Sequence, residues 1–333
     1  KRENPRPRLS YPVPDNIEPR AVTVLDKEQP YTMLRSTWKV KNAPLTDLGS
    51  LYNDMKQDLF FTMANARLQE LSQQPDPSFS YASIYNTNWM RGFNATECIM
   101  FANEGRSEDA FRTLITELAR IRQYGYQSAE LERAKQIMIR QAEKMLADKP
   151  TMDSGDVLWD IIGSVMSEDT IISAELYEQL LKGLINEIDL SEVNDIVDEV
   201  ITSENLTLSL AGTDKPGANY PSKEDLLAIY HQAFAQELEP WVDITVNEPL
   251  LETIPQPGKI TKEKVFPKSG IKQWVLSNGV TVYSKKTDFK ADEVILAAQS
   301  TGGKAKLKPE DYKAAEIMPQ YFNVSGFGNF DAP

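Results

Sequence analysis

Apolar positions along this chain follow two periods. Some stretches repeat every second residue, and longer ones repeat every third or fourth. The run Ala21–Lys27 alternates as A-V-T-V-L-D-K, and Tyr31–Lys41 is rich in aromatic and β-branched residues, so both predict strands. A long helix follows over about 47 to 73, where Leu48, Leu51, Met55, Leu59, Met63 and Ala66 share one face. Pro75 and Pro77 end it. Two more strands are predicted at 79–90 and 93–103, joined through Arg91-Gly92-Phe93. The next part is helical. Ser107 is placed to cap a helix whose stripe is Phe111, Leu114, Ile115, Leu118 and Ile121, with Gly125 as its C-terminal glycine. Ser128 opens a second helix that runs to Asp148 before Pro150, and shorter helices follow at 154–166, 173–186 and 191–201. The strand Asn205–Leu210 closes the block. The order β-β-α-β-β-α-α-α-α-α-β is no βα alternation. It predicts an α+β fold, a largely antiparallel sheet with helices on one face.

Proline divides the chain. Five of the 20 prolines lie within residues 1–20, and Pro216, Pro221, Pro240, Pro249, Pro255 and Pro257 cluster further on. Such segments favour extended linkers over helix interiors or central strands. The expected organisation is an N-terminal extended segment (1–20), an α+β domain (21–212), a hinge linker with one helix (213–262) and the start of a second, incomplete α+β domain (263–333). In the linker, Ser222 caps a helix with Leu226, Leu227, Tyr230 and Phe234 on its apolar face. In the last segment, Gly270–Leu276, Val280–Lys285 and Glu293–Gln299 read as strands, with a type I′ turn at Asn278-Gly279 between the first two and a short helical run at 310–318.

Composition narrows the chemistry. With one His and one Cys in 333 residues, a disulfide framework is impossible, and a zinc site would have to be built almost wholly from carboxylates. A formal charge of −13 argues against a nucleic-acid partner. No run of 18 apolar residues predicts a membrane span, and the basic N-terminus lacks the apolar core of a secretory signal.

The short motifs read as structure. Asp153-Ser154-Gly155 matches one half of an aspartic-protease pair, but it stands alone and opens a helical pattern, which makes it a cap. Thr301-Gly302-Gly303-Lys304 lacks the earlier glycine and the following hydroxyl of a phosphate loop. Ser325-Gly326-Phe327-Gly328 lacks the strand and helix that would give it a phosphate-binding role. His231 sits on the linker helix with no nucleophile motif elsewhere, and Cys98 lies on a strand as a small apolar residue. Trp241 is a linker aromatic that must dock on something. Lys304, Lys306 and Lys308 form a short solvated run. No catalytic, cofactor-binding or metal residue is expected in the chain.

Several strings together resemble one family. The helix Leu59-Phe60-Phe61-Thr62-Met63-Ala64-Asn65-Ala66-Arg67-Leu68-Gln69-Glu70-Leu71, followed by Pro75-Asp76-Pro77-Ser78-Phe79, is similar to the non-catalytic second domain of pitrilysin/insulinase zinc metallopeptidases. The opening Asp26-Lys27-Glu28, the paired helices with Glu130-Leu131-Glu132-Arg133-Ala134-Lys135, and the closing strand to Gly212 fit the same order. Trp274-Val275-Leu276-Ser277-Asn278-Gly279-Val280-Thr281-Val282-Tyr283 resembles the hairpin that opens each half of these enzymes.

The resemblance implies a position within a two-half enzyme: the end of the first half, the hinge, and the beginning of the second. The family's His-x-x-Glu-His zinc motif belongs to a domain upstream and is absent from this chain, and no His occurs near Asp311–Ser325, its counterpart in the second half. Zinc is therefore expected in the upstream domain and none here. The implied function is a non-catalytic chamber wall and hinge of a zinc-dependent endopeptidase that encloses peptides or small proteins. It would pack against the catalytic domain and the second half-shell, and it would be inactive alone. A second reading is a scaffold or peptide-binding subunit resembling the non-catalytic core subunits of respiratory complexes. A third is a pair of unrelated α+β domains.

Overall fold

The computed structural model describes residues 13–41, 43–90, 92–243, 251, 253–287 and 294–324. They form two compact units. The first takes in the described residues through Ile139 together with Leu158–Asp243, and the second takes in Arg140–Val157 and the described residues after Ile244.

The first unit is built on a five-stranded sheet of β1 (Arg20–Asp26), β2 (Thr32–Lys41), β3 (Phe79–Met90), β4 (Phe93–Ala102) and β5 (Leu206–Thr213), in the order β1-β5-β2-β4-β3. Only β1 with β5 is parallel; the other pairs are antiparallel. Register and burial agree on one core face. Leu34, Ser36 and Trp38 stand opposite Met100, Cys98 and Thr96, and Leu210, Leu208 and Leu206 on the other side. All nine are buried. Alternation puts their neighbours on the opposite, half-solvated face, where Arg35 pairs with Glu97 at 3.4 Å.

Helices cover the core face. α1 (Leu48–Ser72) is capped by Asp47, whose carboxylate accepts from the Ser50 backbone while the Ser50 hydroxyl answers to Asp47. It buries Leu51, Met55, Leu59, Phe60, Met63 and Leu68. Its Asn65 carboxamide donates to the Ile84 carbonyl and accepts from the Ile84 amide, both at 2.9 Å. That occupies backbone groups of the edge strand β3 which no further strand would pair.

α2 (Ser107–Tyr124) and α3 (Ser128–Asp148) follow. Ser107 is the first residue of α2 rather than its cap. Arg106 holds the cap position and makes no side-chain cap bond, since a guanidinium offers no acceptor for the helix amides; it pairs instead with Asp109 and Asp76. Gly125 ends α2 at φ 64°, as the sequence predicts. Next come α4 (Ser154–Ser167), α5 (Ala174–Leu184) and two short helices, α6 (Leu190–Asp195) and α7 (Val197–Val200). A single helix predicted over 191–201 is thus broken in two at Ile196. After β5, α8 (Lys223–Ala235) is capped by Ser222 and buries Leu226, Ile229, Tyr230 and Ala233.

The second unit contains the antiparallel strands β6 (Ile260–Phe266), β7 (Ile271–Leu276) and β8 (Thr281–Ser284). The β7–β8 hairpin forms over the expected Ser277-Asn278-Gly279, but not as a type I′ turn, because Asn278 does not take a positive φ. Leu276 and Val280 pair by backbone, Gly279 donates to the Leu276 carbonyl, and Gly279 sits at φ 86°. This is a three-residue loop with one left-handed glycine. Residues 294–299 are not a strand. Val294, Ile295 and Leu296 are exposed, and among the described residues no strand pairs with them, so this continuous apolar run makes no ladder. A final helix, α9 (Tyr312–Val324), extends beyond the predicted run.

Candidate functional site

The strongest concentration of polar groups in the first unit lies under the helices, around Arg67. The helical spacing of α1 puts Arg67 on the buried side with Met63 and Leu68, so its charge must be met inside. α3 supplies Glu130, which receives Arg67 Nε at 2.7 Å and Nη2 at 2.8 Å. α2 supplies Glu117, 3.2 Å from Nη1, and the Gly125 carbonyl accepts from Nη2 at 3.0 Å. Glu117 also pairs with Arg120. Burial raises the Glu117 carboxyl above its ordinary range, against the pull of Arg120 and Arg67. The guanidinium lies between two aromatic rings, Tyr126 at 4.9 Å and Trp241 at 5.1 Å.

Trp241 arrives on a strap, residues 236–243, that follows α8. Side chains of α2, α3 and their junction hold its backbone. Gln123 donates to the Gln236 carbonyl at 2.7 Å and accepts from the Leu238 amide at 3.1 Å. Tyr124 donates to the Leu238 carbonyl, Arg120 to Glu239 at 3.0 Å, and Gln127 to Trp241 at 2.6 Å. Arg133 grips the Asp243 carboxylate at 2.9 and 3.1 Å. The linker aromatic singled out in the sequence therefore docks on the buried ionic centre. The sequence signals its partner Arg67 only as a lone Arg in an apolar helical stripe.

A cavity of about 870 Å³ opens where three connections meet at one end of the sheet: β1 to β2, β4 to α2, and β5 to α8. Tyr31, Tyr220, Glu104, Asp109, Lys215 and Asp225 line it. Lys215 pairs with Glu104, and that contact holds the carboxyl below its usual range. Asp225 is likewise lowered by the Ser222 hydroxyl and backbone that it caps. The lining offers binding groups, and it contains no nucleophile paired with a base.

The short motifs of the sequence lie far apart along the chain. Asp153 accepts from the Gly155 amide at 2.7 Å at the start of α4, which is a cap. Thr301–Lys304 leads into a short 3₁₀ turn, and Lys304 pairs with Glu316. Ser325–Gly328 lies outside the described residues. His231 lines a second cavity, of about 510 Å³, with Tyr230, Phe234 and Arg122. Cys98 is fully buried in the sheet, and that burial pushes its thiol well up, which removes it as a thiolate ligand or nucleophile. Among the described residues no group of three His, Cys, Asp or Glu side chains could hold a metal ion. The residues present do not fit zinc. Also among the described residues, no helix is long and apolar enough to cross a membrane.

No family model matches the chain. It is similar to a zinc protease PQQL-like protein of Arabidopsis thaliana, with 24% identity over 306 residues, covering 91% of this chain and 29% of the relative. Among solved structures it is similar to the periplasmic protease PqqL from Escherichia coli, with a TM-score of 0.65 and 18% identity over 84% of this chain and 31% of that one. It is also similar to the separately solved first half of that protease, with a TM-score of 0.63 and 17% identity over 71% of this chain and 51% of that one. The chain therefore spans about three tenths of the length of the relatives it matches. Its sequence is similar to zinc proteases, and its α+β fold is the one found in insulinase-family protease structures.

Proposed function

We propose that this chain is a non-catalytic wall and hinge region of a zinc-dependent endopeptidase that encloses peptide or small-protein substrates. One observation carries the reading. The chain matches the whole PqqL protease over about a third of that protein's length, and the isolated first half over about half of its length. A single α+β domain followed by a linker has that proportion. In this reading residues 21–212 are the non-catalytic domain. Residues 213–262 are the hinge, of which the part through Asp243 folds with the first unit, and 263–333 begin a second α+β domain. Zinc and the activated water belong to a His-x-x-Glu-His domain outside the chain. The donor set found here, a buried Cys98 and a single His231, supports that assignment.

Two measurements test it. Purified residues 1–333 are expected to hold no stoichiometric zinc and to cleave no peptide. The full-length polypeptide is expected to carry His-x-x-Glu-His before Lys1 and to hydrolyse peptides in a chelator-sensitive way. One zinc ion per chain in 1–333, or peptidase activity in it, would overturn the reading. So would a full-length protein without that motif.

A further inference from the structure

The strap at residues 236–243 is held almost wholly from one side. After Gln236, whose amide still reaches the Gln232 carbonyl, it belongs to no helix or strand and, among the described residues, makes no backbone-to-backbone hydrogen bond. Side chains of α2, α3 and their junction hold it instead, and most of them stand at the surface. Gln123, Tyr124 and Gln127 are exposed, and so is nearly half of the Arg133 side chain. Arg120, which is less exposed, keeps its Glu117 partner whether the strap is there or not. Water would replace the strap at each of these groups, and would replace them at the strap carbonyls. The buried centre beneath would also stay whole. Arg67 draws both Glu130 contacts, the Glu117 contact, the Gly125 carbonyl and the Tyr126 ring from elsewhere. Only the Trp241 ring would be withdrawn from the guanidinium. Undocking the strap thus orphans no buried charge, in contrast to the loss of Glu130 or Arg67 itself.

The strap also leads out of the first unit, which ends at Asp243. While it is docked, its last residues are fixed by the Trp241 ring and by the grip of Arg133 on the Asp243 carboxylate. Pro240 keeps a released strap from winding on as an extension of α8. Release would therefore lengthen the free chain between α8 and β6, by up to about 26–29 Å for eight extended residues. We propose that residues 236–243 form a latch that docks on α2 and α3 and lets go as one piece, so that the connection from α8 to β6 has a short state and a long one. Trp241 is its anchor. The Arg133–Asp243 pair, open to solvent on the Arg133 side, is a clasp that salt weakens. With one anchoring ring, no ladder and solvent-facing bonds, the strap belongs with segments that open well below the free energy of global unfolding. The proposal rests on the reading of residues 213–262 as a hinge. The experiment reads the strap itself, whereas the hinge reading fails through zinc content, activity and the upstream motif.

The test uses the full chain with nitroxide labels at Glu108→Cys and Val242→Cys, both exposed positions; Cys98 is fully buried and stays unlabelled. Double electron–electron resonance is expected to give a narrow short distance and a broad longer one. The broad fraction is expected to grow about twofold or more as salt rises from about 50 mM to about 500 mM. Asp243→Asn, which removes the charge of the clasp and keeps its shape, should raise that fraction about as much at low salt and flatten the salt response. Trp241→Ala should make the broad distance dominant. In urea, release in the parent chain is expected before helical ellipticity is lost. A single narrow distance that persists up to the unfolding transition, in the parent and in Asp243→Asn alike, would make the strap a fixed part of the fold and overturn the proposal. A broad distance that neither salt nor Trp241→Ala changes would overturn it as well, because the strap would then have no docked state to leave.

Discussion

The Arg67 guanidinium meets the Glu130 carboxylate side on, Nε to Oε1 at 2.7 Å and Nη2 to Oε2 at 2.8 Å, with both side chains almost wholly out of water. Removing one member of such a pair leaves the other charged and buried, which costs about 3–5 kcal/mol. Glu130→Ala is expected to lose that much stability in urea titration, and Arg67→Met at least as much, because it leaves the buried Glu130 and Glu117 carboxylates without their shared cation. The exposed pair Arg112–Glu108, at 3.0 Å, is the control: Glu108→Ala is expected to leave the urea midpoint in place.

Trp241 closes the outer side of the same guanidinium, and its ring also lies 5.9 Å from Arg120. Trp241→Ala is expected to cost about 1–2 kcal/mol, the range for a partly desolvated cation over an aromatic face. It should also free the strap. Limited proteolysis should then cut within 236–243 at enzyme concentrations that leave the parent chain intact. Trp159→Ala, at an exposed position, should leave that cleavage pattern unchanged.

Gly125 has no room for a side chain. A Cβ there would lie 2.5 Å from Asn194 Oδ1, the atom that accepts the Tyr126 amide at 2.9 Å. Its φ of 64° and ψ of −151° is a conformation essentially reserved for glycine. Gly125→Ala is expected to destabilise by about 2–4 kcal/mol through strain and clash together, read as a fall in melting temperature. Gly105→Ala, at φ 74° with open space around it, should cost less.

Asp58 gives the fold a pH dependence of unusual sign. Burial and the Asp54 carboxylate one turn earlier on α1 raise its carboxyl from 3.8 to about 7, and Tyr177 is pushed to about 12 by burial and by the same two acids. The native state therefore binds a proton that the unfolded chain has already released. The stabilising proton is fully present below the unfolded value, and its contribution is lost as pH rises through the folded value. The upper bound is about 4 kcal/mol, and solvent around a half-buried group reduces it to about 2 kcal/mol. Melting temperature is expected to fall between pH 5 and pH 8, and Asp58→Asn should flatten that slope and stabilise the protein at the alkaline end.

The sheet and its main helices were legible because one rule governed each. Alternation marked the strands of the first unit, and the three-four spacing marked the buried face of α2 and, through Leu51, Met55, Leu59 and Met63, that of α1, whose Leu48 and Ala66 are exposed. What the sequence did not reveal came from partners distant along the chain. Nothing near Arg67 tells that Glu130 and Trp241 will enclose it. Nothing in the apolar run at 294–299 tells that, among the described residues, no strand pairs with it. The cap position of α2 falls on Arg106, one residue before the expected Ser107.

The parallel pairing of β1 with β5 joins Arg20 to Thr207 and seats β5 between β1 and β2. A ribosome must therefore add some 190 residues after the first strand before its partner exists. At about 5–20 residues per second, that interval is roughly 10–40 s. During it, Leu34, Ser36 and Trp38 can pair with β4 but have an open flank where Leu206, Leu208 and Leu210 will stand. The nascent chain thus waits with half a sheet, and its last strand enters the middle rather than the edge. Closure by such a distant segment makes folding slow, and it makes the interval before residue 213 emerges the one in which a chaperone matters most.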